Sequence, residues 1–256
     1  VPRYPAATSN SIFTSDAAVI KYCQENGASW YYKEILDTVA RKRLIYSTRC
    51  PNHYSTSQRP GATGTYSAAL PSKGYWELPL YPLIAKSNLY WTNVTCFDTE
   101  VAIALNGVSF YSQSDASVNV DANAIAQCDD FLVTDSANAK RDIDMCGGSA
   151  DKNGVYAYHL PPSCLLNQLG NKAGTHSPQI GWALDGFPLY GPLGPNGVEM
   201  EPCTSFIPKS NPNLWASKKK TFPAYCLDDC SGLSGVFPDM DEYVYRYFIA
   251  GPVDTG

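Results

Sequence analysis

Two eight-residue segments share a pattern that constrains the fold of this chain more than any other feature of its sequence. One reads Ala-Leu-Asn-Gly-Val-Ser-Phe-Tyr at 104–111, and the other reads Ala-Leu-Asp-Gly-Phe-Pro-Leu-Tyr at 183–190. Asn-Gly or Asp-Gly between apolar residues is typical of a β-hairpin, and it predicts a type I′ turn whose two central residues have positive φ. Each half of the chain is therefore expected to contain a hairpin.

The segments that follow each hairpin are also repeated. The first hairpin is followed by Asp-Met-Cys-Gly-Gly at 144–148 and Tyr-Ala-Tyr-His at 156–159. The second is followed by Asp-Asp-Cys-Ser-Gly at 228–232 and Tyr-Val-Tyr-Arg at 243–246. Three elements in the same order twice predict an internal duplication within one domain, not a solenoid of many short repeats.

The predicted fold is mainly β: a single domain with an internal pseudo-duplication, stabilised by disulfides. Strand-like segments rich in aromatic and β-branched residues occur at 28–35 and 41–48. A short N-terminal helix is expected between a cap at Ser15-Asp16 and a stop at Gly27. The domain is predicted to span 1–256, with a helix and strands at 1–84, a first half at 85–165 and a second half at 166–256.

Cysteine content favours a secreted protein. The chain has nine cysteines and no Cys-x-x-Cys pair, which indicates up to four disulfides with one cysteine left over. Asn93 begins an Asn-Val-Thr glycosylation sequon, and a chain that begins at Val1 without Met fits a processed mature protein. The alternative is an intracellular protein with reduced, buried cysteines.

Charge and hydropathy exclude two classes of partner. The net charge is −5, which gives no electrostatic attraction to nucleic acid or to an anionic membrane. No apolar run reaches the roughly 20 residues that a membrane-spanning helix requires. With 44% apolar and 17% charged residues, the chain is expected to be globular.

The chain resembles the YHYH protein family, which is named for the tetrapeptide Tyr-His-Tyr-His. The similarity is carried mainly by 144–166 and 176–194, and extends to the hairpin at 104–111. It implies a secreted or envelope-associated protein, and no common activity of the family is known to us.

Departures from the family pattern are informative. That pattern has Cys-x-Gly-His followed by Tyr-His-Tyr-His in both halves, and only His159 keeps its place here. The resemblance therefore implies that the ligand set formed by these histidines is lost, and no metal ligand is assigned. The replacements are Ser149, Ala157, Leu233, Val244 and Arg246.

The two Tyr-x-Tyr segments are expected to lie together and to form one candidate pocket with the remaining histidines. No cofactor is predicted. The alternatives are a transition metal held by the three histidines, or calcium held by Asp142, Asp144, Asp228, Asp229, Asp239 and Asp241. Another interpretation makes the histidines hydrogen-bonded structural residues. The candidate pocket residues are His53, Tyr156, Tyr158, His159, His176, Asp185, Tyr245 and Arg246.

The sequence favours a secreted, non-catalytic binding or structural glycoprotein with a degenerate histidine metal site. Self-assembly, an extracellular protein or a glycan are the expected kinds of partner. The alternative is an enzyme, metal-dependent or not, with a remodelled pocket around His159, His176 and Arg246, where the guanidinium would hold an anionic group.

Overall fold

The structure is a computed structural model, and it describes the chain in several segments. The predicted N-terminal helix and the sequon at Asn93 lie outside the described residues, as do Cys23, Cys96, Cys128 and Cys203. The described segments are 31–53, 69–84, 100–111, 143–150, 153–201, 226–228, 230–237 and 240–249, with only the backbone given at 240–243.

A three-stranded antiparallel sheet comes first in the chain. It has the order β1 (Tyr32–Asp37), β2 (Lys42–Ser47), β3 (Gly74–Pro79), so the strand-like segments predicted at 28–35 and 41–48 are confirmed. Asp37 closes the first turn by accepting the backbone N–H groups of Val39 and Ala40. Burial alternates along β3, because one face of this sheet packs on the core and the other meets water.

Eight further strands form the second sheet. They are β4 (Glu100–Ala104), β5 (Ser109–Tyr111), β6 (Gly148–Ala150), β7 (Tyr156–Tyr158), β8 (Gln179–Ala183), β9 (Pro188–Tyr190), β10 (Gly232–Phe237) and β11 (Met240–Phe248). Their order in the sheet is β10-β11-β9-β8-β4-β5-β7-β6. The antiparallel pair β4–β8 lies in the middle, flanked by β5 and β9. Outside these, β7 runs parallel to β5 and β11 runs parallel to β9, while β6 and β10 form the two edges.

Both predicted hairpins are confirmed, as β4–β5 and β8–β9, but the predicted type I′ turn is wrong. Only the glycine of each pair has positive φ, 79° at Gly107 and 94° at Gly186. Each N–H of these glycines bonds to the carbonyl three residues earlier, Ala104 or Ala183. The loop is therefore the three-residue kind, a type I turn followed by a left-handed glycine.

Arg43 joins the two sheets. Its guanidinium lies 3.5 Å from the ring centroid of Trp182 and pairs with Glu34. Arg43 is fully buried, and burial lowers its pKa to about 10. Since a buried, paired charge is costly to uncouple, this contact fixes the small sheet on the face of the large one that carries Trp182.

A short helix, α1 (Ser163–Gln168), follows β7 and was not predicted from the sequence. Cys146 and Cys164 form a disulfide that ties this helix to the turn before β6. Cys50 and Cys226 each take part in a disulfide as well, and Cys230 is exposed. The mainly β, disulfide-stabilised fold is thus confirmed. Across the described segments, no helix has the length and apolar character needed to cross a membrane.

Candidate functional site

Asp144 organises a buried turn ahead of β6. Its Oδ1 accepts the backbone N–H groups of Cys146 at 2.9 Å and Gly148 at 3.1 Å, and its Oδ2 accepts the hydroxyl of Tyr156 at 2.7 Å. Asp144 is 1% exposed and Tyr156 is fully buried. Three donors therefore compensate the carboxylate for the loss of water. A Cβ at Gly148 would collide with the Tyr156 hydroxyl, which explains the glycine there.

His53 covers this turn from the N-terminal part of the chain. Its Nε2 lies 2.9 Å from the Tyr156 hydroxyl and 3.7 Å from Oδ2 of Asp144. The imidazole meets the Tyr156 ring edge-on and stacks over the Tyr158 ring. His53 is itself 5% exposed, and it covers the two tyrosines from solvent.

Asn106 contributes the hairpin side of the same region. Its Nδ2 donates to the hydroxyl of Tyr158 and to Oδ1 of Asn52, both at 2.8 Å. Asn52 in turn donates to Gln168 of α1, and Asn106 Oδ1 accepts the N–H of Val108. Burial holds the pKa of Tyr158 far above its usual range. We call Asn106, Asp144, Tyr156 and Tyr158 the first centre.

The turn before β10 is built in the same way. Asp228 Oδ1 accepts the backbone N–H groups of Cys230 at 2.9 Å and Gly232 at 2.8 Å, and Oδ2 accepts the hydroxyl of Tyr245 at 2.9 Å. A Cβ at Gly232 would collide with that hydroxyl. Ser231 has a φ of 62°, a left-handed conformation that costs a serine more than a glycine.

Tyr247 completes this second arrangement by donating to Oδ2 of Asp185 at 2.6 Å. Asp185 Oδ1 accepts the N–H of Phe187, as Asn106 does for Val108 in the other hairpin. The rings of Tyr245 and Tyr247 meet edge to face, with centroids 5.1 Å apart. We call Asp185, Asp228, Tyr245 and Tyr247 the second centre.

The two centres differ in exposure and in charge. Asn106 and Asp144 are buried, whereas Asp185 and Asp228 are exposed. Partial burial raises the pKa of Asp185. Burial also raises the pKa values of Tyr245 and Tyr247 far above their usual range, and the neighbouring carboxylates raise them further. The second centre thus has two carboxylates at the surface, beside the partly buried Tyr247 and the buried Tyr245, both neutral.

Strand register corrects one sequence correspondence. Gly148 pairs with Tyr158, and Gly232 pairs with Tyr247, so the tetrapeptide that matches 156–159 is 245–248, not 243–246. Tyrosines at three alternate positions of β11 allow two alignments from the sequence alone, and the bond from Tyr245 to Asp228 agrees with the one that the register selects. The residues at the two histidine positions of that tetrapeptide are then Arg246 and Phe248.

His159 and Arg246 lie on the opposite side of their strands from the tyrosines, because successive side chains of a strand alternate in direction. The His159 ring packs near Tyr111, at 6.2 Å between centroids, and is 7% exposed. Arg246 is fully buried. Its guanidinium lies 4.3 Å from the ring centroid of Tyr190 and 4.0 Å from that of Phe237.

His176 lies near Arg246 rather than near either centre. Its ring packs against Tyr190 and Phe237 at centroid distances of 5.2 and 5.8 Å. Its Nδ1 is 2.6 Å from the carbonyl oxygen of Ser177. The structure therefore divides the predicted pocket residues among several places: His53 with Tyr156 and Tyr158, Asp185 and Tyr245 in the second centre, His176 near Arg246, and His159 beside Tyr111.

The expectation that the two Tyr-x-Tyr strands lie together is wrong. Four strands separate β7 from β11 in the sheet, a distance of roughly 24 Å along the sheet at a strand spacing of about 4.8 Å. Each strand is placed next to its own hairpin, because β7 pairs with β5 and β11 pairs with β9. The chain therefore contains two separate centres instead of one shared pocket.

Metal-ligating residues meet at one place among the described residues. One ligand atom each of His53, Asp144 and Cys146 lies within 4.8 Å of the others, and all three residues are buried. Of the aspartates considered for calcium, Asp144 and Asp228 accept hydrogen bonds from backbone N–H groups and tyrosine hydroxyls. Asp142, Asp229, Asp239 and the Asp241 side chain lie outside what the structure describes.

Sequence reasoning missed Asn52, Asn106 and Gln168 as site residues, and it considered Asp144 and Asp228 only as calcium ligands in one alternative. The spacing Asp-x-Cys-x-Gly did carry a signal, since an aspartate that accepts N–H groups two and four residues later closes a turn. Nothing in the sequence indicated that Asn52 and His53 cover the first centre, because that contact joins segments far apart in the chain.

The fold and the two centres define a class of β protein in which a tyrosine pair on an outer strand is anchored by an aspartate turn and by a hairpin. A comparison with family models identifies the class, since the model described as YHYH protein matches residues 75–254. The chain belongs to the YHYH protein family. No curated protein and no solved structure matched this chain.

Proposed function

We propose that the two halves of the large sheet derive from an internal duplication. Four hydrogen bonds in each half support this. Each turn aspartate, Asp144 or Asp228, accepts two backbone N–H groups and one tyrosine hydroxyl, and each hairpin residue bonds the second tyrosine. The strand order also supports it. From the middle of the sheet outwards, one half reads β4-β5-β7-β6 and the other reads β8-β9-β11-β10, which is the arrangement that a duplicated unit would produce. On this proposal the two centres began alike.

The proposed function is that of a secreted, non-catalytic binding glycoprotein whose second centre binds a cationic group of an extracellular partner protein. One observation carries the proposal: the same tyrosine–carboxylate arrangement is buried under His53 and Asn52 in the first centre, whereas in the second its two carboxylates are exposed. The first centre stabilises the fold. The second keeps the polar groups at the surface, where a partner can reach them.

Charge indicates the chemistry of the partner group. Where the first centre has the neutral Asn106, the second has Asp185, so two carboxylates lie at the surface beside the partly exposed ring of Tyr247. An arginine or lysine side chain satisfies both features, since it pairs with carboxylates and lies favourably on aromatic faces. A net charge of −5 also attracts a basic partner over distance.

Burial argues against the alternative of an enzyme built on His159, His176 and Arg246. His159 is 7% exposed and Arg246 is fully buried between aromatic rings. A substrate needs a group that it can reach, and the roles these contacts support are packing and hydrogen bonding. His176 is partly exposed, but the burial of His159 and Arg246 favours a non-catalytic protein with a degenerate histidine site.

Secretion is supported by the disulfides. Cys50, Cys146, Cys164 and Cys226 are all disulfide-bonded, and such bonds persist mainly in oxidising compartments. Self-assembly and glycan binding are the competing modes of binding, and they would use surfaces other than the second centre. Neither mode predicts that an oligo-arginine peptide binds at Asp185 and Asp228, which the following experiment measures.

Binding of an oligo-arginine peptide, measured by calorimetry at low and moderate salt, tests the proposal. We expect binding that weakens with salt and falls about tenfold in the Asp185→Asn/Asp228→Asn double variant, because its charge partners are removed. The matched control is Glu199→Gln, which removes an exposed carboxylate outside the second centre. Equal binding by wild type, double variant and control would contradict the proposal.

A further inference from the structure

The turn below His53 brings together three residue types that bind zinc. An imidazole, a carboxylate and a cysteine sulfur, from His53, Asp144 and Cys146, have ligand atoms within 4.8 Å of one another. All three residues are buried. Structural and catalytic zinc sites use these donors, with three protein ligands as the usual minimum. In the described state the sulfur of Cys146 is bonded to Cys164, and a disulfide sulfur is not the thiolate that a metal binds.

The distance between the imidazole and the carboxylate supports a ligand role. His53 Nε2 and Asp144 Oδ2 are 3.7 Å apart, which is too long for a hydrogen bond. Two ligands of one tetrahedral zinc lie about 3.5 Å apart, given metal–ligand bonds of about 2.1 Å. Nε2 is the imidazole nitrogen nearer to Asp144, so it would be the ligating atom, and the proton of the neutral imidazole would lie on Nδ1.

We propose that the Cys146–Cys164 disulfide masks a metal site for zinc or a similar divalent transition metal. A dithiol reductant donates two electrons and two protons to the disulfide and becomes a disulfide itself, which leaves thiols at Cys146 and Cys164. On metal binding the Cys146 thiol loses its proton to solvent, and its thiolate joins His53 and Asp144 as the third protein ligand. The Tyr156 hydroxyl gives up one of its two contacts, and the fourth position is left for water.

This site is independent of the histidines that the family pattern places in the tetrapeptides. His53 comes from the segment before β3, and Asp144 and Cys146 come from the turn before β6. The inference therefore does not depend on the cationic partner proposed for the second centre. Either proposal can fail while the other stands.

The test uses Cys164→Ser in a Cys230→Ser background, so that the Cys146 thiol is present without any reductant while the other disulfides stay intact. Titration with cobalt(II) is expected to give the absorption of a tetrahedral thiolate complex at one equivalent, and zinc is expected to abolish it. Adding His53→Gln should weaken cobalt binding about tenfold or more. The matched control, Cys146→Ser with Cys164 retained, should give no thiolate absorption.

Two results would overturn the proposal. One is a folded Cys164→Ser protein, checked by circular dichroism, that gives no cobalt–thiolate absorption. The other is absorption that His53→Gln leaves unchanged. Should Cys164→Ser fail to fold, wild-type protein reduced with a phosphine is treated with an alkylating reagent with and without zinc. Zinc must then slow alkylation of Cys146, as mapped by mass spectrometry, and equal rates contradict the site.

Discussion

The first and second centres share their bonds and differ in their surroundings. In both, an aspartate turn anchors one tyrosine and a hairpin residue contacts another. The first is closed by His53 and Asn52, whereas the second has its carboxylates at the surface. Matched substitutions in the two centres therefore separate the effect of a hydrogen bond from the effect of its burial.

Burial decides what each bond contributes to stability. A buried donor that loses its acceptor costs about 1–3 kcal/mol, and more when charge is involved. Water replaces the lost partner at the surface. The same substitution should therefore be costly in the first centre and mild in the second.

Asp144→Ala should have the largest effect, a loss of about 3–4 kcal/mol in the free energy of unfolding. It leaves two backbone N–H groups and the Tyr156 hydroxyl without their acceptor. Asp228→Ala should cost about 1 kcal/mol, because Asp228 and Cys230 are exposed and water replaces part of the lost bonding. Urea unfolding of both variants measures the difference. Equal losses would mean that the centres do not differ in burial.

Asn106→Asp should cost about 3 kcal/mol at neutral pH. It removes the amide that donates to Asn52 and Tyr158 and places a carboxylate in a fully buried position. Much of the loss should be recovered at low pH, where the new carboxyl is protonated. Urea unfolding at several pH values measures both effects. A loss that does not change with pH would contradict the proposed burial of charge.

Tyr156→Phe should cost about 2 kcal/mol, because Asp144 and His53 both lose the buried hydroxyl. Tyr245→Phe should cost about 1 kcal/mol or less, since Asp228 is exposed and water takes the place of the hydroxyl. Thermal unfolding with circular dichroism detection gives both values. A greater loss in Tyr245→Phe would reverse the order of the two centres.

Asp185→Asn, the reciprocal of Asn106→Asp, should have the smallest effect, a gain below about 1 kcal/mol at neutral pH. Partial burial raises the pKa of Asp185, so the folded state binds the proton more tightly than the unfolded state. Wild-type stability then falls as pH rises through that pKa, and the variant lacks this fall. The free energies of unfolding of wild type and variant, measured at acidic and neutral pH, should therefore become equal at acidic pH. A gain in the variant that persists there would contradict this explanation.

The sequence predicted the hairpins because Asn-Gly and Asp-Gly leave few alternatives, and it predicted the mainly β fold from its aromatic and β-branched segments. It did not predict where β7 and β11 lie, since each pairs with a neighbour from its own half. The register of β11 was ambiguous because tyrosines occupy three alternate positions. The cover over the first centre, from Asn52 and His53, depends on a contact between distant segments that no local pattern encodes.

Carbodiimide labelling of carboxyl groups, read out by mass spectrometry on the native protein, tests the difference between the centres most directly. The account predicts that Asp185 and Asp228 are labelled readily, while Asp144 is protected until the protein is unfolded. Equal labelling of Asp144 and Asp228 in the native protein would contradict a sealed first centre and an accessible second one.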